Sequence, residues 1–315
     1  MKLIKSSYKI IPQEAGLEGI YKAIERAGRT CYKSEDKITD TSAKEFVDRM
    51  IKSGHGAMLE HGTVYLTIPA GKYSFLGDDF DDCNDIKDSF FSNPYTKIHC
   101  QDGYFYISTN YRVMVETFAQ EFIPELLQYL CEPTEFHERR VTVHFVCDRG
   151  VSHELVRHRV FSFAQESTRF CNYSKDKFGN EITCIIPSWS KLPEGNVNKS
   201  EYITEKGISA YSILKGATEY INNSGITKDK LINTVYLNEL LRCENSYFQL
   251  LEHSWKPQQA RQVLPNALKT EINMCGFVSD WKHFFALRDD KASHPDMINL
   301  AKPLHEEFIA RGFIK

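Results

Sequence analysis

The sequence predicts an α+β fold with a central, largely antiparallel sheet flanked by helices. Three observations carry this expectation. Apolar alternation of period two marks strands at 63–69 (Val64, Leu66, Ile68) and 140–147 (Val141, Val143, Phe145, Cys147). Apolar stripes of helical period mark helices at 13–28 (Leu17, Ile20, Ile24, Ala27) and about 113–130 (Val115, Phe118, Phe122, Leu126). Strands and helices also mix without the regular alternation that a parallel sheet requires.

The other elements follow in order. Ser42, with Glu45 three residues on, reads as a capping box opening a second helix, which Gly54 stops. Residues 77–102, with five Asp between 78 and 85, read as a surface insertion. GYFYISTN (103–110) is a strand, and Gly150 leads into a helical segment reaching Phe161. A strand at 182–187 precedes a loop and helices at about 206–222 and 228–252. Pro257 opens a short helix over 257–263, stopped near Pro265. Residues 269–278 form a strand. Residues 279–288 form a helix with Ser279 as cap and Trp281, Phe284, Phe285 and Leu287 as core, and a last helix follows Pro295.

Composition narrows the function. The 315 residues are 42% apolar and 26% charged, which is enough for a sizeable core and argues against wholesale disorder. Lys plus Arg is 39 against 42 Asp plus Glu, a net −3 that disfavours a generally basic nucleic-acid binder but leaves a local basic pocket open. No apolar run reaches 18 residues, so no membrane span is expected, and the N-terminus does not read as a signal peptide. Nine scattered cysteines form no CxxC pair, which excludes a zinc ribbon or thioredoxin motif and suits a reducing cytosol.

The densest chemistry is Arg157-His158-Arg159, continuing through Gln165-Glu166-Ser167-Thr168-Arg169. Arginine forks grip phosphate or carboxylate oxygens, and Ser and Thr add donors. A site for a phosphorylated, planar ligand and a solvated basic cluster paired with Glu154 and Glu166 stand about even on composition. His153-Glu154 with His158 mimics a zinc helix, but the histidines are five apart where one helical face needs four. A second cluster, Gly54 to His61, brings His55, Glu60 and His61 together, either to hydrogen-bond a heteroaromatic ligand or to satisfy a helix–strand turn. A third consists of Arg261 and, at the end of the aromatic helix, Arg288, whose simplest reading is a charge complementing the helix dipole. No GxGxxG, GxxxxGK[ST] or GxSxG occurs, so Rossmann, P-loop and hydrolase-elbow sites are not indicated.

Taken in order, these clusters resemble the flavin-dependent thymidylate synthases. The signature of that family is Arg-His-Arg, seven residues, then Ser, which here is Arg157-His158-Arg159, residues 160–166 and Ser167, with Arg169 following. The segments GHxxxxEH (54–61) and ARxxLP (260–265), and the aromatic helix ending in Leu287-Arg288, match as well. The resemblance covers about residues 13–310. It implies one synthase domain over 1–315 with the thymidylate synthase-complementing fold. It implies a cytoplasmic methyltransferase that converts dUMP to dTMP. Methylenetetrahydrofolate would donate the carbon and FAD, reduced by NADPH, the hydride. A homotetramer with shared active sites is also implied, with no nucleic-acid or membrane partner.

The resemblance also assigns residues. Arg288 would be catalytic, sitting against the uracil and favouring loss of its N3 proton. Arg157, His158 and Arg159 would contact FAD, as would His55, Ala57, Glu60, Gln165, Phe277, Ser279 and His283. Glu154, Arg157, Gln165, Glu166, Ser167, Thr168, Arg169, Arg261 and Arg288 would bind the nucleotide, Ser167 and Arg169 at its phosphate and Arg261 from a neighbouring subunit. Some positions depart from the family pattern. Gln165 stands where some members have Glu, and Glu166 where the residue is often apolar. Ala57 replaces a hydroxyl residue, and Phe277 and Ser279 stand where some members carry Asn and Arg. Competing readings are a nucleotide- or RNA-binding module built on Arg157–Arg169, a zinc hydrolase, and a degenerate member that binds flavin and nucleotide without turnover.

Overall fold

The computed structural model describes residues 1–70, 93–118, 120–197 and 227–314. The chain divides into two compact units. One comprises Met1–Ser7, Cys147–His153 and Ser167–Thr270, and the other Tyr8–Val146, Glu154–Glu166 and Glu271–Lys315.

The larger unit holds one sheet and all but some strand ends of a second. Strands β3 (Thr63–Pro69), β4 (Lys97–Gln101) and β5 (Tyr104–Asn110) form an antiparallel sheet in the order β3-β5-β4, with Leu66 opposite Ile107. Strands β2 (Ser7–Ile11), β6 (Arg140–Asp148), β7 (Ser162–Gln165) and β10 (Lys269–Phe277) form the other in the order β2-β6-β10-β7. Strand β7 runs antiparallel to β10, with Gln165 opposite Ile272. Along β6 every second residue is buried, as its alternation predicts.

Helices α1 (Gly16–Tyr32) and α2 (Ser42–Lys52) cover the three-stranded sheet. Ile20, Ile24, Phe46, Val47 and Met50 share one core with Val64, Leu66, Ile68, Phe105 and Ile107. Burying each such side chain contributes about 1.5–3 kcal/mol. The two helices approach closely at Gly28, where a Cβ would lie 2.3 Å from the Phe46 ring. The expected capping box at Ser42 does not form. Thr41 is the N-cap, and the Ser42 hydroxyl instead donates to Glu25 Oε2 at 2.9 Å.

The expected helix over 113–130 is broken. Helix α3 (Tyr111–Thr117), capped by Asn110 accepting from Val113 N, ends at Phe118, whose backbone is extended. A new turn, Ile123–Leu126, starts with Pro124 in its first positions. Proline lacks an N–H and is tolerated only in a first turn, so it opens this segment rather than continuing the earlier one. The segment after Gly150 is likewise shorter than expected. Its helix is Arg149–Leu155, followed by turns in which His158 N donates to Leu155 O and Phe161 N to His158 O. His153 and His158 therefore do not share one helix, so the helical-face argument about their spacing does not apply.

Strands β1 (Lys2–Ile4), β8 (Thr183–Ile185) and β9 (Gly195–Asn196) make a small sheet in the other unit, ordered β8-β1-β9. β1 pairs parallel with β8 and antiparallel with β9, so the sheet is mixed. The long helix Lys228–Glu252, N-capped by Thr227, contributes Leu237, Leu240, Leu241 and Tyr247 to a core with Leu3, Tyr173 and Cys184. Of the expected insertion, 77–92 lies outside the described residues, whereas Lys97–Gln101 forms β4. The expected helix at 206–222 lies outside them altogether.

Candidate active site

Strand β10 runs directly into helix α4 (Val278–Arg288), which belongs to the larger unit. Its cap is not Ser279. Phe277 is the N-cap, and its N–H donates to Asp280 Oδ2 at 3.1 Å. Trp281, Phe284 and Phe285 are buried, and the Trp281 indole donates to Val141 O at 3.1 Å. This anchoring fixes the end of the helix, where Arg288 lies. Its guanidinium does more than complement a dipole. Nη1 donates to Glu154 Oε2 at 2.7 Å, Nη2 to Glu154 O at 3.3 Å, and Nε to His158 Nε2 at 3.0 Å.

His158 is buried, with its ring centroid 5.0 Å from that of Phe284. Burial first, then the charge of Arg288 and the proximity of His283, lower its pKa to about 4. The imidazole is therefore neutral near pH 7, accepts at Nε2, and carries its proton at Nδ1. Arg157 and Arg159 flank it, both exposed and without an ion-pair partner among the described residues. His283 is exposed on α4.

The other candidates in this unit are more tied down. His55 is exposed at the N-cap of a short helix, Gly56–Leu59, and Ala57 is exposed within it. Glu60 Oε1 pairs with Arg112 Nη1 at 2.6 Å, and Arg112 Nε pairs with Glu116 at 2.8 Å. Phe277 is 2% exposed, with Lys97 and Arg140 on its ring at 5.7 and 5.6 Å. Its side chain faces protein, unlike a ligand-contacting amide. Ser279 is exposed, and its N–H donates to Glu138 Oε1. Gln165 is half-buried at the end of β7. Glu166 is buried, and its N–H donates to Glu271 O at 2.8 Å.

In the smaller unit, residues 167–171 fold into a turn closed by Cys171 N donating to Ser167 O at 2.9 Å. The Ser167 hydroxyl accepts from Arg169 N at 3.3 Å. Arg169 is exposed and stacks on Phe170 at 5.5 Å. Arg261, also exposed, donates from Nη1 to the buried Thr168 hydroxyl at 3.3 Å. Neither arginine meets a carboxylate among the described residues. Two cations, a hydroxyl and turn N–H groups together suit a phosphate.

Sequence reasoning missed several polar residues. Arg140 binds Glu60 O through both Nη atoms at 3.2 Å, and its N–H donates to the Tyr65 hydroxyl. Glu271 joins Lys33 at 2.9 Å and His144 at 3.1 Å. These partners come from distant segments, and no local motif marks them.

The family model for thymidylate synthase complementing protein (Thy1) matches residues 101–311. A flavin-dependent thymidylate synthase of Corynebacterium efficiens is 30% identical over 149 residues, 47% of this chain and 48% of the relative. One from Pyrococcus furiosus is 25% identical over 200 residues, 64% of this chain and 66% of the relative. The chain thus spans about half to two thirds of the length of the curated relatives it matches. A solved UMP/dUMP methylase, PolB of Streptomyces cacaoi, aligns over 100% of this chain and 98% of its own at 15% identity, with a TM-score of 0.40, too weak to bear on function. Because the family model covers well over half of the 315 residues, the chain belongs to the thymidylate synthase complementing protein family.

Proposed function

We propose that the chain is a flavin-dependent thymidylate synthase that methylates dUMP at C5 to give dTMP. Methylenetetrahydrofolate is the one-carbon donor, and FAD reduced by NADPH is the hydride source. The observation that carries this reading is the triply held Arg288. A guanidinium stays charged at any working pH, so it stabilises negative charge on a pyrimidine without giving up a proton. Glu154 and His158 fix its plane before substrate arrives, so no reorganisation is needed as negative charge develops on the uracil. Ser167, Thr168, Arg169 and Arg261 are assigned to the nucleotide, the arginines to its phosphate. Gln165 and Glu166 line the same stretch of chain.

The residues fit a flavin dinucleotide in part. Arg157 and Arg159 are uncommitted cations beside a neutral His158 that keeps its Nδ1–H to donate, a donor set suited to a diphosphate and a ring carbonyl. His283, His55 and Ala57 are exposed and open to the same ligand. Glu60 would first have to release Arg112, and Phe277 has no open face to offer. When bound, the reduced flavin supplies the hydride, while the chain positions it against the nucleotide. The departure at the buried Phe277 favours one second reading, a member that binds flavin and nucleotide but no longer turns over. We place the protein in the cytoplasm as a homotetramer of single synthase domains with shared sites.

The test is tritium release from C5-labelled dUMP with FAD, NADPH and methylenetetrahydrofolate, omitting each in turn. Release that needs all three, with dTMP formed, is the expected result. A yellow, dUMP-binding protein without release would establish the second reading. A colourless, inactive protein would overturn both.

A further inference from the structure

Asp289 directly follows Arg288, and the proposed reaction leaves it without a role. It is the C-cap of α4, and its N–H donates to Phe285 O at 2.9 Å. A carboxylate there stands at the negative end of the helix dipole, where the field opposes it. It also adjoins the arginine whose charge the proposed reaction turns on the pyrimidine. An acid at this position has a cost on both counts unless another group holds it.

That group is His305, on the last helix, α5 (Pro295–Ala310). His305 Nδ1 lies 2.9 Å from Asp289 Oδ2. A carboxylate accepts, so Nδ1 carries the proton and donates it. No other side chain meets the Asp289 carboxylate among the described residues. The imidazole is itself fixed. It stacks on Phe285, with ring centroids 4.5 Å apart and planes 13° apart. Phe285 is buried and meets the buried Phe308 edge-on at 5.1 Å. All these residues belong to the larger unit, as do Arg288, Glu154 and His158. The chain between α4 and α5 has ties of its own. Ser293 Oγ donates to Leu287 O, and Ala292 N donates to Asp290 Oδ1, both at 2.8 Å. The helix end therefore keeps these bonds without His305. What His305 alone sets is the direction of the Asp289 side chain.

We propose that His305 is a positioning residue for Arg288, acting through Asp289, a role that rests on the one proposed above for Arg288 at the pyrimidine. His305 turns the Asp289 carboxylate toward α5 and away from the adjacent guanidinium. Released, that carboxylate is one residue from Arg288 and competes with Glu154 and His158 for its N–H donors. A guanidinium drawn to Asp289 leaves the plane those two residues set, and its charge is spent on a neighbour. Both changes weaken its hold on charge developing on the uracil. Neither touches residues 167–169 or 261, which are assigned to the nucleotide.

The experiment measures tritium release by variants of the full chain supplied with FAD, NADPH and methylenetetrahydrofolate. His305→Ala should lower kcat about tenfold, as misplacing a catalytic group does, and change KM for dUMP less than kcat. His305→Asn, whose Nδ2 takes the place of Nδ1, should restore most of the loss. Asp289→Asn removes the competing charge, so adding it to His305→Ala should also restore kcat. A tie that merely braces the helix end predicts the opposite, because Asp289→Asn cannot rebuild it. If urea midpoints show that alanine unfolds the chain, His305→Leu fills the space on Phe285 without an N–H and takes its place. A crystal structure of His305→Leu reads the same claim without turnover, and should show Asp289 within hydrogen-bond distance of Arg288. Unchanged kcat in the folded variant, a double variant as slow as the single one, or an Arg288 still held by Glu154 and His158 in His305→Leu would each overturn the proposal. An inactive parent chain would instead overturn the proposed function, and the His305→Leu structure would still decide whether His305 orients Arg288.

Discussion

Arg288 and Arg169 both carry positive charge that the proposed reaction assigns to a nucleotide, yet they are held in opposite ways. Arg288 ends a helix anchored by three buried aromatic rings, and all three of its nitrogens are engaged by Glu154 and His158. Arg169 lies on an exposed turn and stacks on Phe170, and Arg261 reaches Thr168 at 3.3 Å, with no carboxylate at either among the described residues. The first arrangement fits a group that must act at a fixed angle on developing charge. The second fits groups that gain partners when a phosphate arrives. Rigidity is built where chemistry is proposed, and uncommitted charge is left where binding is proposed.

The sharpest way to break this comparison is Arg288→Ala. It removes a preorganised charge and strands Glu154 and a buried imidazole. Formation of dTMP should fall by about 10²–10³ or more, the usual cost of losing one such donor, with dUMP still bound. Near-normal turnover in a steady-state assay would show that the held arginine is structural. A second test uses pH. His158 has its pKa lowered from 6.5 to about 4, so the unfolded chain binds a proton that the folded one refuses throughout that window. Stability should therefore rise with pH from about 4 to 6.5, and this group should contribute on the order of 3 kcal/mol across it. His61 titrates in the same window, so the contribution is read as the difference from His158→Gln, which keeps an acceptor but cannot titrate. Urea midpoints with the same pH slope in both proteins would mean that His158 is not held neutral. Third, Arg169→Ala and Arg261→Ala should each weaken dUMP binding by about 1.5–3 kcal/mol, or roughly tenfold to a hundredfold, and raise KM more than they lower kcat. A selective fall in kcat would reverse the roles assigned to the two regions.

The two regions also differ in how much of them was legible in the sequence. Strand β6 was clear, because strict alternation over nine residues has one structural meaning. The stripe Val115, Phe118, Phe122, Leu126 was misleading. Phe118 and Leu126 are buried as it implies, but apolar spacing reports burial, and the backbone between them turns away at Phe118 and restarts at Pro124. Strands β1 and β9 span three and two residues, too short to show any period. Arg288, His158 and Glu154 were each visible through local motifs, but their mutual bonding was not, since 130 residues separate His158 from Arg288. Arg112 and Arg140 had no motif and emerge only once the strands are paired. The departure at Phe277 was legible as a substitution. Its meaning, a ring buried under two cations, required the fold.

The smallest effect expected is that of Ser167→Ala, and it tests whether the exposed turn is as uncommitted as its arginines suggest. The Ser167 hydroxyl accepts from Arg169 N at 3.3 Å, so it has a structural duty within the turn besides the phosphate contact assigned to it. If it also donates to the phosphate, its removal should weaken dUMP binding by about 1.5 kcal/mol, roughly tenfold, by calorimetric titration. The double variant with Arg169→Ala separates the two duties. Additive losses mean that serine and arginine grip the phosphate independently. A double variant no weaker than Arg169→Ala alone means that the hydroxyl acts by shaping the turn that presents the arginine. In that case the smaller unit is more preorganised than its exposed charges imply, and the contrast with Arg288 narrows to one of degree. Unchanged affinity in the single variant would remove Ser167 from the nucleotide contacts altogether.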